Sequence, residues 1–154
     1  MIQQIDGLIG DFITVAKIAG LELNAAEIRH QSLPSPHRPA SLPGGMRAVY
    51  VFSLPAPLRT VLKVGKVGPN SGARFVSQHY SPASSNSNLA KSLLADAGFW
   101  QEIKTPQPME SQIGEWIKRN VDRDNFFISA QHGGLALGLL EVFIQCRLQP
   151  RYEG

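Results

Sequence analysis

Residues 47–52 read RAVYVF and residues 61–68 read VLKVGKVG, two β-branched and aromatic runs separated by the proline-containing stretch SLPAPLRT. Side chains of this kind favour extended backbone, and the PAPLR segment between the runs predicts a turn joining two neighbouring antiparallel strands. Two lysines and two glycines interrupt what otherwise reads as a buried strand. Lys63 and Lys66 are three residues apart, so strict alternation puts them on opposite faces of a sheet. Only a bulge at Gly65 would bring them together; without one, one of the two lysines is merely solvated. Tyr50 stands at the centre of the first run, where core packing is the ordinary use of a tyrosine.

Helical periodicity surrounds this pair of strands. Ile2, Ile5, Leu8, Ile9, Phe12, Ile13 and Ala16 recur at helical spacing, and Gly20 is placed to end that helix. Asn24 followed by Glu27 resembles a capping box for a second, short helix. The stretch LPSPHRPASLPGG holds four prolines, which oppose regular structure and suit an extended strap or a linker. It divides the chain into a helical extension with its strap, residues 1–43, and a core domain, residues 44–154.

Within the core domain Ser71 is placed to cap a helix through ARFVSQHY, and Asn88 another through LAKSLLADA. MESQIGEWIKRN sets Ile113, Trp116 and Ile117 on one side of an amphipathic helix. NFFISA reads as a third strand, and GLALGLLEVFIQCRL as a helix stopped by Pro150. SPASSNSN reads as a mobile loop between helices. This order predicts an α/β (α+β) fold with a small, mainly antiparallel, three-stranded sheet flanked by helices.

The net charge of +3 hides a segregation: from Ile28 to Ala95 there is no aspartate or glutamate, yet eight lysines and arginines fall there. Clustered cations without interspersed carboxylates are the footprint of a polyanion-binding face, although a solubilising surface has the same composition. Arg29, Arg38, Lys66 and Lys91 are the candidates for nucleic-acid contact, and His37 beside Arg38 could equally touch a phosphate. No apolar run approaches the roughly 18 residues of a membrane span. The acidic residues in MIQQIDGLIGDF are unlike a signal peptide, so a soluble, cytoplasmic protein is expected. Cys146, the single cysteine, reads as a packed structural thiol.

AVY, then KVGK, then ARFVSQHY, then LLEVFIQCRLQPRYEG, in this order over nearly all of Met46 to Gly154, resemble the GIY-YIG nuclease family. The resemblance implies a sheet of three antiparallel strands and hydrolysis of DNA with one divalent metal, magnesium or manganese. It implies roles for Tyr50, at the first motif's tyrosine, and Gly65, at the second motif's glycine. It implies roles too for Arg74 in the following helix, His79, and Glu141 as metal ligand. Lys63 stands where the second motif usually has tyrosine, and Glu153 where an asparagine is common; some restriction-type members are similar in using a lysine near the second motif.

Hydrolysis of a phosphodiester needs a base near the attacking water, cations on the phosphate oxygens and stabilisation of the leaving alkoxide. Tyr50 is a poor base alone; neighbouring Lys63 and Lys66 would favour its phenolate. Arg74 would clamp a phosphate oxygen, and Glu141 would hold the metal with few other protein ligands. Each has a plainer use: Arg74 pairing with an acid, His79 capping a helix, Glu141 in a salt bridge to an arginine, His132 in a turn. The expected activity is therefore that of a metal-dependent endonuclease cutting DNA, of a restriction, phage-defence or mobile-element kind. A non-catalytic nucleic-acid-binding module of the same fold and an RNA nuclease are the alternatives. With no separate DNA-reading domain visible, specificity would come from loops, the extension, an oligomer or a partner protein.

Overall fold

The computed structural model describes residues 5–39, 41–69, 71–84 and 88–152, without the side chain of Arg74. Chain order is α1 (Ile5–Ile18), β1 (Arg29–Leu33), β2 (Met46–Ser53), β3 (Val61–Val67), α2 (Gly72–Val76) and α3 (Leu89–Ala95). It continues through α4 (Ala97–Glu102), α5 (Ile113–Asn120), β4 (Asp122–Ser129) and α6 (Gly133–Leu148). The fold is α+β, and its sheet has four strands, not three, in the order β1-β4-β2-β3 with every pair antiparallel. The three expected strands are its β4, β2 and β3.

The added strand comes from the helical extension. Arg29 to Leu33 pairs along β4, with Arg29 opposite Phe127 and Leu33 opposite Arg123. Its sequence, RHQSL, carries no β-branched run, so pairing rather than intrinsic propensity makes it a strand. The third expected strand also starts earlier than NFFISA: Asp122, Arg123 and Asp124 belong to β4 and are buried.

Alternation along β2 explains why the sheet is a middle layer. Ala48, Tyr50 and Phe52 join one core with Phe127, Phe75 of α2, Leu89 and Leu93 of α3, Phe99 and Trp100 of α4, and Ile113 and Ile117 of α5. Val49 and Val51 join a second core with Phe126, Ile128, Leu8 and Phe12 of α1, and Leu137, Leu140 and Ile144 of α6. Both faces of β2 are thus dry, which is why its sequence reads as an unbroken apolar run rather than an alternating one.

Local signals set several boundaries. Gly20, at φ +79, follows α1 in a backbone conformation that glycine adopts without penalty. The Asn24–Glu27 capping box is formed, on a single turn of 3-10 helix. Ser71 sits at the start of α2 but makes no side-chain cap, and α2 stops after five residues. Helical structure resumes as a 3-10 turn at Gln78–Tyr80. Asn88 does cap α3, accepting from the Lys91 amide at 2.8 Å. Cys146 is exposed on α6, not packed. Residues 81–84 and 88 of the serine-rich tract are described; the rest of it lies outside the described residues.

The C-terminal segment is clasped. The Arg151 and Tyr152 amides donate to the Val61 and Leu62 carbonyls, at 2.9 Å each, along the outer edge of β3. Asp96 accepts from Arg151 Nε at 2.8 Å and from the Tyr152 hydroxyl at 3.0 Å, while also capping α4. The hydrogen bond from Arg151 is the foremost influence lowering the Asp96 pKa below the ordinary carboxylate value. A depressed folded pKa contributes stability above the unfolded value and loses it as pH falls through the folded one. Asp96→Asn keeps a capping oxygen but discards the charge and replaces the oxygen that accepts from Arg151 and Tyr152 with an amide nitrogen. It is therefore expected to lower the melting temperature by roughly 2–4 °C at pH 7. Thermal melts of the two proteins should draw together as the pH falls through the depressed pKa of Asp96. A gap that widens on acidification contradicts this assignment.

Candidate functional site

β3 is the edge strand on which the expected site residues gather, and its two faces carry different halves of them. Register with β2 places Gly65 opposite Tyr50, Val64 opposite Val51 and Lys63 opposite Phe52. The pairing then skips Leu62, because Ser53 stands opposite Val61. The irregularity is thus at Leu62, not at Gly65. Lys63 lies on the Tyr50 face and Lys66 on the opposite one, so the expectation that both lysines flank the phenol is corrected.

On the Tyr50 face the phenol is wholly buried. Its hydroxyl and ring lie over the Gly65 Cα, so close that any Cβ at position 65 would collide with them. That is why a glycine stands there: it clears space for the tyrosine. The His79 ring packs on Tyr50 with centroids 4.6 Å apart and on Phe52 at 5.3 Å. His79 Nδ1 also accepts from the Leu89 amide, at 3.4 Å, so the capping use foreseen for it falls on α3. Lys63 is buried on this face as well. Arg74 is in α2, directly after β3, but its side chain and Glu153 lie outside the described residues.

On the other face Lys66 Nζ donates to Glu141 Oε2 at 2.5 Å, joining β3 to α6. The Glu141 side chain is 15% exposed and the Lys66 side chain 47%. The carboxylate in an apolar helix is therefore neutralised, as an embedded charge must be, by a lysine of the second motif rather than by an arginine. Gly65 and Lys66 are adjacent, so the Tyr50 hydroxyl and the Glu141 carboxylate flank one stretch of strand from opposite sides. Tyr50 and Glu141 are not on one face.

Magnesium is commonly bound through one or two carboxylates, with water and substrate oxygens completing its shell. Among the described residues no group of three His, Cys, Asp or Glu side chains could hold a metal. At Glu141 the lysine already occupies Oε2, so a cation there would have Oε1 alone and would meet the charge of Lys66.

The basic candidates are dispersed. Arg29 is exposed, its guanidinium 4.8 Å from the Phe127 ring centroid. Arg38 and Lys91 are exposed on the strap and on α3. His132 ends the 3-10 turn before α6, as foreseen, and meets Glu27 at 3.0 Å.

Sequence reasoning missed a buried polar chain beside Tyr50. Arg123 is fully buried; its Nε donates to Asn125 Oδ1 at 2.9 Å and its Nη1 to the Tyr80 hydroxyl at 3.2 Å. The guanidinium lies 4.2 Å from the Phe75 centroid, 5.3 Å from Phe52 and 5.7 Å from Tyr50. The Tyr80 hydroxyl also meets His37 Nε2 at 2.9 Å. Burial, then the Arg123 charge, holds the His37 pKa below its ordinary value, so the ring is neutral at pH 7 and accepts from Tyr80. Burial pushes the Tyr80 hydroxyl up. The alternation of DRDN before FFIS was the available signal: Arg123 and Asn125 share the parity of Phe127.

No carboxylate pairs with Arg123 among the described residues; three aromatic rings and two neutral acceptors surround it. Arg123→Ala is expected to cost about 3–5 kcal/mol, through the cavity and the acceptors left behind. Arg123→Met keeps the stem and strands no partner charge, so about 1–2 kcal/mol is expected. Urea denaturation of the two variants checks the difference, and equal large losses would mean that the charge itself holds this core together.

No protein-family model matches the chain, nor does any curated protein or solved structure.

Proposed function

We propose that the protein is a metal-dependent endonuclease that hydrolyses phosphodiester bonds of DNA at the β3 edge. The observation that carries this reading is the placement of the Tyr50 hydroxyl and the Lys66–Glu141 pair about adjacent residues, Gly65 and Lys66, of one edge strand. The motif order that resembles the GIY-YIG nucleases supports it, as does the antiparallel pairing of strands 46–53, 61–67 and 122–129, within a sheet that has a fourth strand the resemblance does not imply.

In this mechanism a phosphate is drawn to the edge by Lys66, with Arg74 at the start of the next helix as the second cation. Lys63, on the face of Tyr50, favours the phenolate form that takes a proton from the attacking water. His79 holds the Tyr50 ring by stacking. A magnesium or manganese ion bound by Glu141 would supply charge stabilisation to the phosphate and the leaving oxygen. Because Tyr50 is wholly buried and lies across the sheet from Glu141, the two act on one phosphate only if it sits over the outer edge of β3 and the Phe75, His79 and Tyr80 side chains on the Tyr50 face shift aside. A cytoplasmic location and a role in restriction, phage defence or a mobile element belong to the same proposal. Among the described residues, no helix is long and apolar enough to cross a membrane.

A non-catalytic nucleic-acid-binding module is the second reading, favoured by the sheet lying between Tyr50 and Glu141. Incubating the full chain with plasmid and with structured RNA, with magnesium and with chelator, separates the readings. Plasmid cut only with magnesium is expected. Binding without cleavage supports the module, and preferential cutting of the RNA supports an RNA nuclease.

A further inference from the structure

A concave site lies away from β3, between the proline-rich strap and α5. Pro36, His37, Arg38 and Pro39 form one wall, and Glu115, Lys118 and Arg119 the other, around a cavity of about 440 Å³. Three of these side chains are cationic and one is anionic. The anion is already engaged: Lys118 Nζ donates to Glu115 at 2.6 Å. Arg38 and Arg119 are exposed and make no hydrogen bond or ion pair among the described residues. At the C-terminal end of α5, where the helix dipole disfavours an anion, one of the end carbonyls, that of Lys118, is taken up by the His37 amide at 2.9 Å, and the arginines must outweigh what remains. The wall is also fixed from beneath, because buried His37 is tied through Tyr80 to Arg123. Two exposed guanidiniums lining one cleft suit a group with several anionic oxygens, which arginine engages bidentately.

We propose that this pocket binds a phosphate group, and that in the full complex the group is a backbone phosphate of the nucleic acid lying outside the reacting edge. The second half rests on the endonuclease reading; the first does not. It assigns to the strap the task of fixing the substrate's path over the sheet, with Arg38 and Arg119 as positioning residues that touch no reacting atom.

The test uses the full chain and inorganic pyrophosphate, followed by amide chemical shifts. Shifts should concentrate on residues 37–38 and 115–119, and affinity should fall about ten-fold or more in the Arg38→Ala/Arg119→Ala double variant. A labelled oligonucleotide forms the second arm: the double variant should bind more weakly, with a log–log salt slope shallower by roughly 2. Pyrophosphate that leaves these amides unmoved, or binds the double variant as well as the parent, overturns the pocket. So does tighter binding of an acidic peptide than of pyrophosphate at the same amides. Pyrophosphate binding in the pocket with no oligonucleotide binding anywhere upholds the phosphate site and sinks the nucleic-acid half together with the endonuclease reading.

Discussion

Glu141→Gln is expected to leave the protein folded and able to bind DNA while lowering magnesium-dependent cleavage by roughly 10²-fold or more. The substitution preserves volume and a hydrogen-bonding oxygen, so Lys66 can still donate to it. What disappears is the charge that would hold the cation. The stability cost is small, because Lys66 is nearly half exposed and such pairs contribute about 0–1 kcal/mol. Cleavage rates at several magnesium concentrations, set beside a urea melt, check both halves of the expectation. A variant that unfolds assigns Glu141 to the core alone; a variant that cuts as fast as the parent removes it from the site.

Tyr50→Phe is the second large effect, with a loss of roughly 10²–10⁴-fold in metal-supported cleavage, the range for removing a positioned base. The ring, which packs over Gly65 and against His79, is retained, so the fold should survive. Lys63→Met should act on the same step, because Lys63 lies on the Tyr50 face of the sheet. The double variant should then lose little beyond the worse single one, since groups acting as a unit are not additive. Single-turnover rates for the four proteins decide this. Fully multiplying losses would place Lys63 on a phosphate instead, and unchanged cleavage by Tyr50→Phe would leave the phenol as core packing.

The parts of the fold that were legible are those whose sequence pattern and packing agree. The hairpin of β2 and β3 could be read because both faces of β2 are dry and apolar, and α1 and α5 because one side of each faces a core. β1 was not legible, since RHQSL becomes a strand only by pairing with β4 at the sheet's edge. The start of β4 was legible only in the parity Arg123 and Asn125 share with Phe127, since the burial of Arg123 depends on rings contributed by Phe52 and Phe75, remote in sequence. The site was legible as residue types and only partly as geometry. Alternation already implied that Lys63 and Lys66 point apart, but nothing local told which face Glu141 would take. Its pairing with Lys66 depends on how α6 returns over β3.

The most direct measurement is of manganese, whose unpaired electrons broaden nearby amide signals, added to the full chain with a bound oligonucleotide. If the Lys66–Glu141 edge of β3 is the metal site, broadening centres on the amides of Gly65, Lys66 and Glu141, and is absent in Glu141→Gln. Broadening centred elsewhere, or unchanged by that substitution, contradicts a catalytic centre at the β3 edge.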